Sequence, residues 1–201
     1  MGSNYFTSPL AFIITTLFDL YILLVLLRFM LQLLRADFYN PVSQFIVKLT
    51  SPPLKLLRRF IPSLAGQDTA AILLCLTVIY LKFLILLLLD ISAVHIGNSA
   101  AILANASFIS LFIYSVADLV ALTLSVFLIA IIIQVVISWV SPGQYNPVIG
   151  LVNTIARPAL RPVQKLIPSF GGFDLSPMFA IIMLMVAKML IIPPILYLAS
   201  L

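Results

Sequence analysis

Tyr39–Asp68 reads YNPVSQFIVKLTSPPLKLLRRFIPSLAGQD, and 106 positions later Tyr145–Asp174 reads YNPVIGLVNTIARPALRPVQKLIPSFGGFD. The two stretches align without a gap. Tyr39, Asn40, Pro41 and Val42 stand opposite Tyr145, Asn146, Pro147 and Val148, and Pro52, Leu54, Ile61, Pro62, Ser63, Gly66 and Asp68 stand opposite Pro158, Leu160, Ile167, Pro168, Ser169, Gly172 and Asp174. Turn-forming residues held in register over this length mark a duplication, and Lys82 and Lys188, also 106 apart, carry it into the segment that follows. Long apolar runs flank both copies, so these stretches are where the chain displays repeated, water-compatible chemistry.

The flanking runs set the class. Hydrophobic residues make up 63% of the 201 residues and charged residues 8%, with a mean hydropathy of +1.24. Soluble domains carry about 25% charged residues, so this composition predicts an integral membrane protein with room for about four crossings. The spans are expected from about Leu10 to Leu34, Thr69 to Val94, Phe108 to Val140 and Leu175 to Leu198, with residues 95–105 as a short polar connection. MGSNYFTSPL has neither a basic n-region nor a small-residue cleavage site, which makes the first run a retained span. The expected fold is an all-α membrane protein: four transmembrane helices in two tandem parallel repeats, residues 1–106 and 107–201, each with amphipathic interfacial helices between its spans.

Charge fixes the expected orientation. Eleven Lys and Arg against six Asp and Glu give +5, a balance that suits lipid headgroups and does not suggest nucleic acid, since nothing reads as a basic DNA-reading helix. The first connector holds Arg35, Lys48, Lys55, Arg58 and Arg59, the second Arg157, Arg161 and Lys165, while the central connection and the termini hold no Lys or Arg. The positive-inside rule then places both connectors in the cytoplasm and both termini outside.

Within each connector, Asn40-Pro41 and Asn146-Pro147 read as an N-cap followed by a first-turn proline. Val42, Phe45, Ile46 and Leu49 recur at helical spacing until Ser51-Pro52-Pro53, which is expected to end one short helix and open another, stopped by Pro62. In the second copy Val148, Leu151, Val152 and Ile155 repeat the face, and Pro162 is expected to delay the second helix. Gly66 or Gly172 relaxes the following turn, and Asp68 or Asp174 caps the next span. Two readings stand: loops tucked against the bilayer, or a docking surface for anionic lipid headgroups or another membrane protein, with Lys55, Arg58, Arg59, Arg157, Arg161 and Lys165 as the contact residues.

Asp19, Arg28, Lys82, Asp118 and Lys188 lie within the spans, where each charge costs at least ~2.5 kcal/mol at the bilayer centre. At ~1.5 Å per residue, Lys82 and Lys188 fall near mid-membrane, Asp19 ~6 Å further out, Arg28 nearer the cytoplasm and Asp118 at the outer interface. An Asp19 bridge to Lys82 or Lys188 is expected, the other lysine turning to water or a carbonyl. Arg28, Gln32 and Arg35 share a helix face that Asp19 does not, so no continuous polar lining for a pore emerges. Ala117, Ala121 and Ser125 make a small-residue ridge suited to close helix contact, which favours a homo-oligomer.

Lone Cys75 and lone His95 supply no metal or haem ligand set, and there is no Gly-rich phosphate loop, so no cofactor, metal or enzymatic activity is expected. Asn105-Ala106-Ser107 matches a glycosylation sequon. DFYNPVSQFIVKLTSPPLKLLRRFIP, SWVSPGQYNPV and RPALRPVQKLIPSFGGFDLSPM, with their flanking spans, resemble the YggT family of small bacterial inner-membrane proteins, related to the YLMG proteins of plastids. The resemblance covers essentially the whole chain. It implies a non-enzymatic protein with roles in hyperosmotic tolerance linked to potassium handling, in cell division or nucleoid distribution, or, in plastid relatives, in haem attachment during cytochrome b6 assembly. The function expected is a scaffold or assembly and stress-tolerance factor working through the basic connectors; the alternative is a small oligomeric ion or osmolyte channel.

Overall fold

The computed structural model describes residues 3–61, 66–91, 93–104, 106–140, 146–166 and 174–200, with the backbone alone for residues 3–8. Four long apolar helices, α1 (Ser3–Leu33), α3 (Thr69–Leu88), α4 (Phe108–Val140) and α6 (Ser176–Ala199), are each long enough to cross a membrane. The protein is a multi-pass membrane protein. Two further helices, α2 (Pro41–Leu57) and α5 (Pro147–Leu166), fill the connectors, and a hairpin of β1 (Ala93–Ile96) and β2 (Ser99–Ile102) joins α3 to α4.

Contacts run α1 on α3, α3 on α4 and α4 on α6, while α2 lies on α1 and α3, and α5 on α4 and α6. The inner faces bury Val25, Ile79, Phe83, Leu111, Ile131 and Ile192. The outer faces leave Phe12, Leu17, Ile129, Met185 and Met189 exposed, as apolar residues facing lipid must be.

Three expectations require correction. Each connector holds one continuous helix rather than two short ones, since Pro52 and Pro53 lie inside α2, and Pro158 and Pro162 inside α5. The N–H groups missing at Pro52 and Pro53 would have bonded the carbonyls of Lys48 and Leu49. Both are exposed residues, so water or headgroups take those acceptors at little cost.

The second span also stops at Leu88 rather than Val94. Leu89, Asp90 and Ile91 donate to Ile85, Leu87 and Leu86, and Asp90 sits at φ 57, the left-handed stop of a Schellman turn. The chain then forms the antiparallel hairpin in place of the expected polar connection, pairing His95 with Ala100 and Ile96 with Ser99 around Gly97-Asn98. Gly97 has φ +60 where such a two-residue turn needs it.

The third correction concerns a cap. Asp68 makes no side-chain cap bond to α3, whereas the Asp174 carboxylate accepts the Ser176 N–H at 2.9 Å at the start of α6. Asn40 and Asn146 do cap, each accepting the N–H two residues on, from Val42 and Val148, at 2.9 Å. Gly66 has the left-handed φ, +76, that its turn was expected to need. Pro62, Asn105, Pro168 and Gly172, singled out in the sequence, lie outside the described residues.

Candidate functional site

The intramembrane charges meet at Lys82. Its Nζ donates to Asp19 Oδ1 on α1 and to Asp118 Oδ2 on α4, both at 2.7 Å, so one α3 lysine joins three spans. The Phe83 ring centroid lies 4.9 Å away. Of the two bridges expected for Asp19, to Lys82 or to Lys188, the one to Lys82 is present, and α4, packed beside α3, brings Asp118 to the same ammonium. Asp19 remains half-exposed, at 54% of its side chain, against 6% for Lys82.

Lys188 has no carboxylate among the described residues; its Nζ donates to Ser125 Oγ at 2.9 Å. Ser125 stands 106 positions after Asp19, so each lysine takes a side chain 63 residues before it: a charged partner for Lys82, a neutral one for Lys188. The small-residue ridge on α4 accommodates both α6 and the hairpin. Ala117 and Ala121 are buried, and a Cβ added at Gly97 would lie 3.4 Å from Ala121 Cβ and 3.6 Å from Lys188 Cε. The hairpin tip thus reaches ~20 Å along α4 from Phe108, with Ile96, Ala101 and Leu103 turned into the bundle and His95 outward.

The connector helices present sorted faces. On α2, Ser43, Ile46, Thr50 and Leu54 are buried, Phe45, Leu49 and Leu56 form an exposed apolar stripe, and Lys48 and Lys55 stand exposed beside it, continued by Arg59. On α5, Leu151, Ile155, Leu160 and Val163 are buried, while Arg157, Arg161 and Lys165, four apart, line the exposed side. Asn40 Nδ2 donates to the Pro147 carbonyl at 2.6 Å, tying the starts of the two helices together.

Arg58, exposed like the other connector cations, differs from them in having a carboxylate partner among the described residues. It pairs through Nε and Nη2 with the buried carboxylate of Asp68, closing the connector onto the start of α3. Arg28 is buried, and its Nη1 donates to the Val47 carbonyl, Thr50 Oγ1 and Ser51 Oγ at 3.1, 2.9 and 3.0 Å, clamping α2 to α1. Arg28, Gln32, Arg35, Asp37, Arg58 and Asp68 line a cavity of about 650 Å³ between the end of α1, α2 and the lead into α3. Spacing on α1 had put Arg28, Gln32 and Arg35 on one face. That Arg58 and Asp68 complete the wall needed the tertiary fold, because they come from beyond α2.

At the equivalent place in the second half, Asp174 also receives Gln164 Nε2 at 3.1 Å. Hydrogen bonding from Ser176, aided by Gln164, holds its carboxyl below the usual carboxylate range, although partial burial acts the other way. Among the described residues no cluster of His, Cys, Asp or Glu could hold a metal ion. Cys75 is buried, its Sγ 3.9 Å from the Ile22 carbonyl, in a packing position.

A family model described as CCB3/YggT matches residues 7–89 and again residues 113–195. An uncharacterized protein of Pseudomonas aeruginosa is 46% identical over 181 residues, covering 90% of this chain and 87% of that protein. An uncharacterized protein of Vibrio alginolyticus is 38% identical over 183 residues, 91% of this chain and 93% of its own, and the uncharacterized YggT of Escherichia coli strain K12 is 33% identical over 182 residues, 90% and 88%. No solved structure matches. With both segments of the family model and these relatives spanning nearly its whole length, the chain belongs to the CCB3/YggT family.

Proposed function

We propose that this protein is a non-enzymatic scaffold or assembly factor of the bacterial inner membrane, with both connectors on the cytoplasmic face and osmotic-stress tolerance among the processes it serves. One observation carries the reading: α2 and α5 each dock one face on the spans and hold a cationic stripe outward, Lys48, Lys55 and Arg59 on one, Arg157, Arg161 and Lys165 on the other. Each such cation near an anionic leaflet contributes on the order of 1 kcal/mol. The exposed Phe45, Leu49 and Leu56 beside the α2 cations suit a helix lying in the interfacial plane. Changing Lys55, Arg59, Arg161 and Lys165 together to Gln should leave membrane insertion intact. In mixed vesicles it should lower the preference of spin-labelled phosphatidylglycerol over phosphatidylcholine for the protein's surface; a variant with undiminished preference would overturn the reading.

A second reading, a small oligomeric ion pathway, draws on Asp19, whose carboxylate is half-exposed within a span. Such a group calls for water or a second copy beside it. Potassium flux from liposomes that changes in Lys82→Met would favour this reading. Flux no greater than that of empty vesicles would end it.

A further inference from the structure

We propose that the cavity beside Arg28 is a binding site for a phosphate-bearing anion, separate from the outward cationic stripes. Three guanidiniums face it. Arg58 commits Nε and Nη2 to Asp68, and Arg28 commits only Nη1 to α2, leaving its Nε and Nη2 without an acceptor among the described residues. Arg35 likewise has no acceptor there, and the Asp37 carboxylate that shares the wall accepts the Tyr39 N–H at 2.9 Å. The two carboxylates therefore do not neutralise the three cations. A guanidinium fork matches the paired oxygens of a phosphate, which can bridge several forks at once.

Size and backbone agree with this assignment. At about 650 Å³ the cavity holds more than an isolated phosphate and suits a phosphate carried on a small polar group such as glycerol. Arg28 lies five residues from the end of α1, ~8 Å along the helix, so the site opens near the headgroup level. Arg35 occupies the left-handed stop of the α1 Schellman turn, φ 52, where glycine is the unstrained choice: Ala36 donates to the Leu31 carbonyl and Arg35 to that of Gln32. The fold thus places a cation at this wall in a conformation that disfavours it. Lys55, Arg59, Arg157, Arg161 and Lys165 do not line the cavity, so this proposal and the scaffold reading can fail separately.

Full-length protein in detergent can be titrated with phosphatidylglycerol, phosphatidylcholine or glycerol 3-phosphate and read by native mass spectrometry. One phosphatidylglycerol per chain should be retained more tightly than phosphatidylcholine. Binding should fall roughly tenfold in both Arg35→Gly and Arg35→Gln, and stay unchanged when Arg59 and Arg161 are replaced by Gln. Arg35→Gly relaxes the turn, so its loss of binding cannot be ascribed to unfolding. Displacement by glycerol 3-phosphate would identify a soluble anion as ligand, and retention of lipid alone a headgroup; either result, if dependent on Arg35, supports the site. Anion binding unaffected by both Arg35 variants, or no preference for either anion over phosphatidylcholine, would overturn it.

Discussion

Two lysines at equivalent places in the duplicated sequence differ in what they hold. Lys82 satisfies two carboxylates on different helices, so Lys82→Met leaves negative charges uncompensated within the bundle, a loss of about 3 kcal/mol for a buried group. Part of that is spared because Asp19 is half-exposed. Replacing Asp19 by Asn and Asp118 by Asn in the same chain should restore most of the melting temperature. Lys188→Met removes one bond to a hydroxyl and should cost about 1 kcal/mol or less. Equal thermal destabilisation by the two single substitutions would contradict the network. Asp174 supplies a pH-dependent term. Its carboxyl sits below the ordinary value, so its stabilisation is present above about pH 4 and is lost as acid protonates it. The melting temperatures of wild type and Asp174→Asn should therefore converge on acidification. Sequence offered Lys82 or Lys188 as the partner of Asp19, and the fold selects Lys82. Sequence missed Asp118, because depth along a helix says nothing of which neighbour packs alongside.

Among the elements, α2 and the hairpin taught most about what local signals convey. Asn-Pro capping was legible because it acts over two residues. The prolines inside α2 and α5 were misleading because their penalty depends on whether the orphaned carbonyls meet solvent, a tertiary property. Asn40 shows the two kinds of information on one side chain: its Oδ1 caps α2, while its Nδ2 reaches Pro147. Asn40→Ala should lose both contacts, about 2 kcal/mol, and Asn40→Asp only the second, about 1 kcal/mol, as read by chemical denaturation in detergent. Identical values for the two variants would remove the Pro147 bond from the account. For the hairpin, Gly97→Ala must place a Cβ at positive φ against α4, and a loss of roughly 1–2 kcal/mol is expected in the same measurement. The sequence signal for this turn was Gly97-Asn98 between Ala93–Ile96 and Ser99–Ile102, but four-residue strands are too brief to stand out beside apolar helices.

At the scale of the molecule, apolar patterning specified four spans and two connectors with little ambiguity, since a hydrocarbon solvent leaves few alternatives. The arginine-lined cavity was only half legible: one wall follows from helical spacing on α1, and the other exists only once α2 has folded back across it. The scaffold reading requires the two basic connectors to share the cytoplasmic side. That claim is tested most directly by thiol labelling with a membrane-impermeant maleimide in a Cys75→Ser background, placing single cysteines at Lys48, Asn153 and Ser107, the last exposed at the start of α4. Labelling is expected at Ser107 alone in intact spheroplasts, and at both Lys48 and Asn153 in inverted vesicles. Reaction of either connector cysteine from outside intact spheroplasts would contradict it.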